Sequence, residues 1–301
     1  MGKDLARPYA PPPTAPRRPG YTDPAVVPFP FYASDEALER VELLDLPFNR
    51  YGLDPFGVSK DDLARMYTLL RVFYRSYFRV QCHGIEHVPD GGRAMLIANH
   101  SGGLPVDAGM VLAALFWDRR PPRHAHGMVE YFAQRWPFIS PWFSRLGHLP
   151  GLPEHAVRLL EADRLVMAFP EGARGTAKLY KDRYTLVRFG TGFVRIALRT
   201  GAAIVPVAFI GGEEAVPTIW HWRSLARLIG APYVPITPYI LPIPRPVRCE
   251  IHCGEPMRFE GSGDEPDDVI QDCVDRVRDR IAGLIEEGRA SRRRRLSEER
   301  G

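Results

Sequence analysis

Residues 94–100 read Ala-Met-Leu-Ile-Ala-Asn-His, and they give the strongest indication of the fold class. Five consecutive apolar residues predict a strand that is buried on both faces, as is typical of a parallel sheet. The strand delivers Asn99 and His100 at its carboxyl end. Ligands bind at that edge of open α/β sheets, so the first polar residues after the strand are candidates for a functional site.

Strands and helices alternate outward from this stretch. Apolar runs predict further strands at residues 80–83, 124–129, 165–169, 204–210 and 247–253. Periodic apolar positions and capping residues predict helices at residues 35–44, 59–78, 107–117, 153–161, 189–200 and 267–286. The alternation predicts a single α/β domain with a mixed, largely parallel sheet that is covered by helices on both faces. Pro206, inside a predicted strand, indicates an edge or a bulge.

The chain divides into four predicted segments. Residues 1–33 are Pro-rich and predict an irregular arm, and residues 34–80 predict a helical segment. Residues 81–287 form the predicted α/β domain, and residues 288–301 form a basic tail. The arginine run within that tail is either a solvated end or a contact for lipid or phosphate.

Charge and cysteine content narrow the classes of partner. The net charge of +4 is compatible with anionic lipids or ligands and does not call for nucleic acid. Four cysteines are too few for a disulfide scaffold and favour a reducing compartment. Cys249 and Cys253 alternate with Ile251 as one face of a strand, so we predict no metal site there.

The sequence predicts a peripheral protein at the cytoplasmic face of a membrane. There is no apolar signal region near the start and no run of about 20 apolar residues, so no transmembrane helix is expected. The helix at 59–78 interleaves aromatic residues with arginines, which suits either a membrane interface or packing on the core. Residues 228–244 are uncharged and Pro-rich, and form either a lid or membrane-dipping loop or an ordinary surface loop.

Three polar or glycine-bearing stretches follow predicted strands. In the first, residues 99–107, His100 can act as a general base and Asp107 can fix its tautomer, or Asp107 merely caps the next helix. The second, residues 169–176, holds Glu171 and Arg174 in a loop that can bind phosphate, or forms an ordinary turn with a surface ion pair. The third, residues 201–208, is apolar and forms a wall.

Together these stretches resemble the lysophospholipid acyltransferase family, which includes the 1-acylglycerol-3-phosphate acyltransferases. Ala-Asn-His100 with Asp107 resembles the family's histidine–aspartate motif, and Phe-Pro-Glu-Gly-Ala-Arg at 169–174 resembles its Phe-Pro-Glu-Gly-Thr-Arg motif. Ile-Val-Pro-Val at 204–207 resembles its final Val-Pro motif. The resemblance covers about residues 75–260. It implies the glycerol-3-phosphate acyltransferase fold.

The resemblance implies the transfer of a fatty acyl group from acyl-CoA or acyl-carrier protein to a hydroxyl of a lysophospholipid or related lipid, as in phospholipid biosynthesis. His100 would be the base and Asp107 its partner, with the thioester as co-substrate and no other cofactor. The amides of Gly102 or Gly172 would hold the oxyanion. The residues implied to bind substrate are Asn99, Ser101, Gly102, Glu171, Gly172, Arg174 and Lys178.

The chain departs from the family pattern at three places. Six residues separate His100 from Asp107, where the family usually has four. Ala173 replaces the usual threonine or serine, and the acceptor motif expected near residues 147–151 is not clear. Two other functions use the same residues. A lipid hydrolase would need a nucleophile elbow that the sequence lacks, and a non-catalytic lipid-binding protein would not need His100.

Overall fold

A central sheet organises the computed structural model, which describes residues 31–130 and 140–298. Nine strands lie in the described residues: β1 Gln81–His83, β2 Ala94–Ala98, β3 Ala125–Val129, β4 Leu149–Pro150, β5 Leu165–Ala168, β6 Ala203–Ile210, β7 Trp220–His221, β8 Pro235–Ile236 and β9 Glu250–Cys253. Seven of them form one sheet in the order β1-β9-β6-β2-β5-β3-β4, and β7 and β8 form a separate pair.

The large sheet is mixed and mostly parallel, which confirms the predicted fold class. β2 lies between β5 and β6 and is parallel to both. β3 and β4 continue the parallel set on the far side of β5. β9 is antiparallel to β6, and β1 is parallel to β9, so only this edge runs the opposite way. The carboxyl ends of β2, β3, β5 and β6 therefore meet at one edge.

Ten α-helices lie in the described residues: α1 Asp35–Glu42, α2 Lys60–Arg71, α3 Val106–Trp117, α4 Ser140–Arg145, α5 Pro153–Glu161, α6 Ala173–Thr176, α7 Gly192–Thr200, α8 Gly212–Ala215, α9 Arg223–Ile229 and α10 Asp267–Glu298. A π-helical turn, Val72–Tyr77, continues α2, and short 3-10 helices occupy Ile85–His87 and Tyr180–Asp182. No helix of the described residues is both long and apolar enough to cross a bilayer.

Both faces of the sheet are covered, and β2 shows why its sequence is apolar throughout. Leu96 points into a core formed with α1, α2 and α3. Met95 and Ile97 point into a second core, formed with α5, α7 and α10. Successive side chains of a strand lie on opposite faces, so a strand between two helical layers needs an apolar residue at every position.

The helix predicted at residues 59–78 packs on the core. Ser59 caps its start by accepting a hydrogen bond from the Asp62 amide at 3.3 Å. Tyr67 and Tyr74 are fully buried. Arg71 pairs with Glu36 and Arg75 with Asp118, both at 2.5 Å. The core-packing alternative therefore describes most of this helix, and exposed apolar side chains are confined to its π-helical end.

The structure decides between the two positions predicted for Pro206, an edge and a bulge. Pro206 does not lie at an edge, because β6 has β2 on one side and β9 on the other. It lies opposite a bulge. The interval from Ile204 to Val207 is three residues, whereas that between their partners Met257 and Cys253 is four.

The last helix is longer than its apolar periodicity predicts. α10 continues to Glu298, so the arginine run at residues 292–295 is helical. Arg292 lies 3.6 Å from a Glu214 carboxylate oxygen, and Arg295 pairs with Glu250. These ion pairs hold the end of α10 against the sheet, so residues up to 298 are not a free tail.

Candidate active site

The candidate site begins where β2 ends, at Asn99. Its amide group accepts from the Phe209 backbone amide at 2.7 Å and donates to the Phe209 carbonyl at 3.1 Å. The side chain is fully buried. Asn99 therefore extends the pairing of β2 with β6 by one residue, and this fixes the start of the loop that follows.

His100 and Asp107 meet across that loop. His100 Nδ1 lies 2.7 Å from Asp107 Oδ2. The same carboxylate oxygen accepts from the Ser101 amide at 2.8 Å, and Oδ1 accepts from the Ala108 amide at 2.7 Å. Asp107 lies in the first turn of α3, where the helix dipole favours a negative charge. A carboxylate held this way accepts a hydrogen bond from the Nδ1–H group of His100, so the proton stays on Nδ1 and Nε2 is the basic nitrogen.

Two glycines let the loop turn back despite its length. Gly102 and Gly103 have φ values of 82° and 57°, in the left-handed region that favours glycine. A Cβ on Gly102 would collide with the backbone carbonyl of Gly212, at the start of α8. The His100 loop thus packs backbone to backbone against its neighbour, and six intervening residues still bring the pair into contact.

A large apolar cavity of about 860 Å³ opens beside His100. This volume falls within the range of small-molecule sites in proteins. Helices from both layers contribute to its walls, since Leu112 of α3 and Phe193 of α7 both line it. The His100 ring also lines the cavity, stacks on Phe169 with ring centres 4.2 Å apart, and is 16% exposed.

Glu171 faces into the protein and holds the backbone of the site. One carboxylate oxygen accepts from the His100 amide at 2.9 Å, and the other accepts from the Val187 amide at 2.9 Å. Lys178 Nζ lies 3.4 Å from Glu171 and donates to the Thr185 carbonyl at 2.9 Å. Both charged groups are almost completely buried, so neither presents its charge to the cavity.

A second buried carboxylate adjoins Lys178. Glu213 lies 3.7 Å from Lys178 Nζ and accepts from the Tyr184 amide at 3.3 Å. Burial raises the pKa of Glu213 to about 7, although the Lys178 charge acts in the opposite direction. The lysine thus lies between two carboxylates, and this buried network joins the loop after β5 to the loop after β6.

The open side of the same loop carries Gly172 and Arg174. Gly172 lines the cavity, and its amide donates to the Phe169 carbonyl at 2.9 Å. Arg174 is exposed and donates to the Arg188 carbonyl at 3.3 Å. The Gly172 amide is therefore already engaged, whereas the guanidinium of Arg174, with its five N–H groups, is accessible to solvent.

The sequence-predicted residues thus fall into two groups. His100, Gly172 and Arg174 lie at or beside the cavity, with Gly102 in the loop between His100 and Asp107. The structure does not bring the other four predicted substrate-binding groups to the cavity, because their polar atoms are buried within the protein: Asn99, Ser101, Glu171 and Lys178. A buried Ser101 hydroxyl next to Gly212 is also unsuited to be the nucleophile of a hydrolase.

Two polar residues that line the cavity, Glu130 and Tyr233, are not among the residues selected from the sequence, and a third, His148, lies in the segment 147–151 where the acceptor motif is expected. Glu130 follows β3 at the same sheet edge as His100, and one of its oxygens accepts from the Ala173 amide at 3.2 Å. The strand-end rule that selected His100 also applies to Glu130. Tyr233 comes from the segment before β8, and no local pattern connects it to the site. Burial raises the pKa of Tyr233 to about 12.

A cluster of three histidines lies beside the cavity, in which His124 and His126 are buried and His148 lines the cavity wall. The ring centres of His124 and His126 are 5.2 Å apart, and His148 is close to both. Burial lowers the pKa of His126 to about 3 and that of His148 to about 4. These rings are therefore neutral at physiological pH, and His148 contributes an uncharged group to the cavity wall.

Another polar cluster lies at the far edge of the sheet, away from the cavity. Cys249, Ile251 and Cys253 all face the core, as the alternation predicts. Three residues on the opposite face of these edge strands each have one atom that could bind a metal, and these three atoms lie within 4.8 Å of one another: His83, Glu250 and His252. Glu250 already pairs with Arg295 and lies 3.1 Å from His252. The cluster can therefore be explained without a metal ion, as a set of polar contacts that attach α10 to the sheet.

The fold is that of a solved acyltransferase. The crystal structure of the 1-acyl-sn-glycerophosphate (LPA) acyltransferase, PlsC, from Thermotoga maritima superposes with a TM-score of 0.54 at 15% identity, covering 77% of this chain and 81% of that chain. The mixed sheet and its helical layers therefore define an α/β acyltransferase fold.

Sequence comparison identifies the family. The Acyltransferase family model matches residues 79–210. An uncharacterized protein of Mycobacterium tuberculosis is 38% identical over 259 residues, which covers 81% of this chain and 71% of the relative. A bovine protein, described as a DGAT1/2-independent enzyme synthesizing storage lipids, is 23% identical and covers 68% of this chain and 59% of its own length. This chain belongs to the acyltransferase family.

Proposed function

We propose that this chain transfers a fatty acyl group from a thioester to a hydroxyl of a lysophospholipid or related lipid, with His100 as general base. The observation that carries the proposal is the 2.7 Å contact between His100 and Asp107 at the wall of an apolar cavity. The contact supplies a base with a fixed tautomer. The cavity supplies a place for a long hydrocarbon chain, since each buried methylene contributes about 0.8 kcal/mol.

The reaction follows from these positions. His100 Nε2 takes the proton of the acceptor hydroxyl as its oxygen attacks the thioester carbonyl carbon. Asp107 stabilises the imidazolium that forms. When the carbon–sulfur bond breaks, the thiolate leaves and takes the proton from His100. General-base assistance of this kind contributes about 10²–10⁴ in rate. The thioester, from acyl-CoA or acyl-carrier protein, is already activated, so the scheme includes no acyl-enzyme and no added cofactor.

Glu171 acts in this scheme as a positioning residue. Its hydrogen bond to the His100 amide ties the catalytic loop to the loop after β5. Gly172 is a poor oxyanion donor, because its amide already donates to Phe169. Gly102 is the remaining candidate. Arg174, exposed beside the cavity, is suited to contact a phosphate on the acceptor or on the donor.

The free cysteines support a reducing, cytoplasmic setting for the protein, since Cys82, Cys249, Cys253 and Cys273 are all unpaired in the structure. Because the acceptor and product are lipids, we place the reaction at the cytoplasmic face of a membrane, with the protein bound peripherally.

The test is an acyl-transfer assay with products identified by mass. Purified protein is incubated with labelled acyl-CoA or acyl-carrier protein and a panel of lysophosphatidate, other lysophospholipids, diacylglycerol and long alcohols. We expect one acceptor class to yield an acylated product and His100→Ala to abolish it. His83→Ala, at the far edge of the sheet, is the matched control.

Three results would contradict the proposal. Near-normal transfer by a folded His100→Ala variant would exclude the general base. Release of free fatty acid with no acylated lipid would indicate a hydrolase, and binding of lipid without turnover would indicate a lipid-binding protein.

A further inference from the structure

The segment between α8 and β9 carries an unusual amount of exposed apolar surface. Eighteen large apolar side chains are exposed in the described part of the chain, and eight of them lie in the 25 residues from 219 to 243. These eight are Ile219, Trp220, Trp222, Leu228, Tyr239, Ile240, Leu241 and Ile243, and Leu228 is the most exposed at 81%. Contiguous exposed apolar surface marks an interaction site in a folded protein.

The two tryptophans point away from the body of the protein. They flank His221 in and after β7, and alternate residues of a strand face opposite sides. His221 Nε2 is 2.7 Å from the Ala177 carbonyl, so this residue faces the body of the protein. Trp220 and Trp222 are 59% and 45% exposed on the other side.

The segment is also purely cationic. Between Glu214 and Glu250 the sequence has four arginines and no aspartate, glutamate or lysine. Arg223 and Arg227 are one helical turn apart on α9, both are exposed, and Leu228 follows directly. Tryptophan and apolar side chains together with arginines, without any acidic residue, are the composition of segments that lie in the interface of an anionic bilayer.

This segment is attached to the catalytic loop. Tyr233 lines the cavity, and its hydroxyl is 3.4 Å from the Gly103 carbonyl. The Tyr180 amide donates to the Thr218 carbonyl at 2.7 Å. A bilayer that receives Trp220 and Trp222 therefore lies against the part of the protein that holds the loop between His100 and Asp107.

We infer that residues 219–243 form a membrane-docking face that binds the interface of a bilayer containing anionic lipid and brings the catalytic cavity to its lipid acceptor. The tryptophans and Leu228 enter the interface, and Arg223 and Arg227 contact the headgroups. The role in acceptor delivery rests on the proposed function, whereas the docking itself is measured without turnover.

The first test is vesicle co-sedimentation of the full chain with phosphatidylcholine vesicles, with and without phosphatidylglycerol. We expect Trp220→Ser/Trp222→Ser to lower the partition coefficient at least about tenfold on both kinds of vesicle. Arg223→Gln/Arg227→Gln should lower it about fivefold per arginine on anionic vesicles and little on neutral ones. The matched control, Leu43→Ser, removes an apolar side chain of similar exposure outside the segment and should bind like the wild type.

A second measurement locates the contact. Doxyl-labelled lipids should quench the tryptophan fluorescence of the wild type. Trp220→Phe/Trp222→Phe should keep vesicle binding and lose most of that quenching, because the aromatic surface remains and the reporters do not. Circular dichroism checks that each variant is folded.

Several results would overturn the inference. These are unchanged vesicle binding by the folded serine variant, no quenching in the wild type, or no vesicle binding combined with a dimer that the serine variant dissociates. The last result would assign the face to a second copy of the chain. The proposed function fails separately, since His100→Ala should bind vesicles normally while losing transfer.

Discussion

Replacing Asp107 by asparagine tests the candidate dyad with the smallest change of shape. In the wild type, one carboxylate oxygen accepts from both His100 Nδ1 and the Ser101 amide, and the other accepts from the Ala108 amide. Asparagine has one acceptor oxygen and one donor nitrogen. If its oxygen takes the place of Oδ2, it still accepts from His100 Nδ1 and the Ser101 amide, but it carries no negative charge to stabilise the imidazolium. If its oxygen faces Ala108, its nitrogen donates to His100 Nδ1, the ring carries its proton on Nε2, and the base is lost.

The magnitude follows from what the dyad contributes. Loss of general-base assistance lowers kcat/KM about 10²–10⁴-fold. This corresponds to about 2.7–5.4 kcal/mol of transition-state stabilisation. Asp107 is fully buried and does not line the cavity, so the KM for the acyl donor should change by no more than about twofold. The effect should therefore appear in kcat.

The assay follows thiol release from acyl-CoA in the presence of the acceptor identified by mass. Asp163→Asn is the matched control: Asp163 is an exposed surface residue with φ of 56°, a conformation that asparagine adopts readily. Thermal unfolding checks both variants. A folded Asp107→Asn protein with kcat/KM within about fivefold of the wild type would refute the dyad.

Two further predictions concern the cavity and the buried histidines. A Cβ on Gly109 meets Leu70 at 3.4 Å, so Gly109→Ala should be tolerated. Gly109→Leu should fill part of the cavity and shift the preference to shorter acyl chains, by about fourfold for each excluded methylene in a series of acyl-CoA lengths. Equal chain-length profiles for wild type and Gly109→Leu would contradict this. Burial holds the folded pKa of His126 at about 3, while the unfolded chain takes up the proton near pH 6.5. The contribution of His126 to the free energy of unfolding should therefore be complete above about pH 6.5. As the pH falls below that value, this contribution should decrease by about 1.4 kcal/mol per pH unit. His126→Gln should remove this part of the pH dependence in urea titrations.

Local patterns in the sequence predict the sheet and most helices because they depend on neighbouring residues. The apolar run Ala94–Ala98 is the observed β2, and the helix at Pro153–Glu161 has the predicted bounds. The end of α10 could not be predicted in this way. Its arginines are stabilised by Glu214 and Glu250, which are distant in sequence, so a charged run that reads as a tail continues as helix.

The residue types of the candidate site can be predicted from the sequence, but the directions in which their side chains point are much harder to predict. Position after a strand selects His100 and Glu171 equally well. In the structure, however, the His100 ring lines the cavity, whereas the Glu171 carboxylate is buried within the protein. Which way a side chain points depends on its partners, here the His100 and Val187 amides around Glu171. Tyr233 depends on a long-range contact that no short pattern contains.

The backbone-to-backbone crossing at Gly102 and Gly212 has a consequence for pattern searches. Contact between histidine and aspartate is set by the end of one strand and the first turn of the next helix, while the intervening glycines take up additional chain length. A search that requires a constant number of residues between histidine and aspartate would discard chains such as this one. A query anchored on secondary-structure boundaries, with a gap of variable length, would retain them.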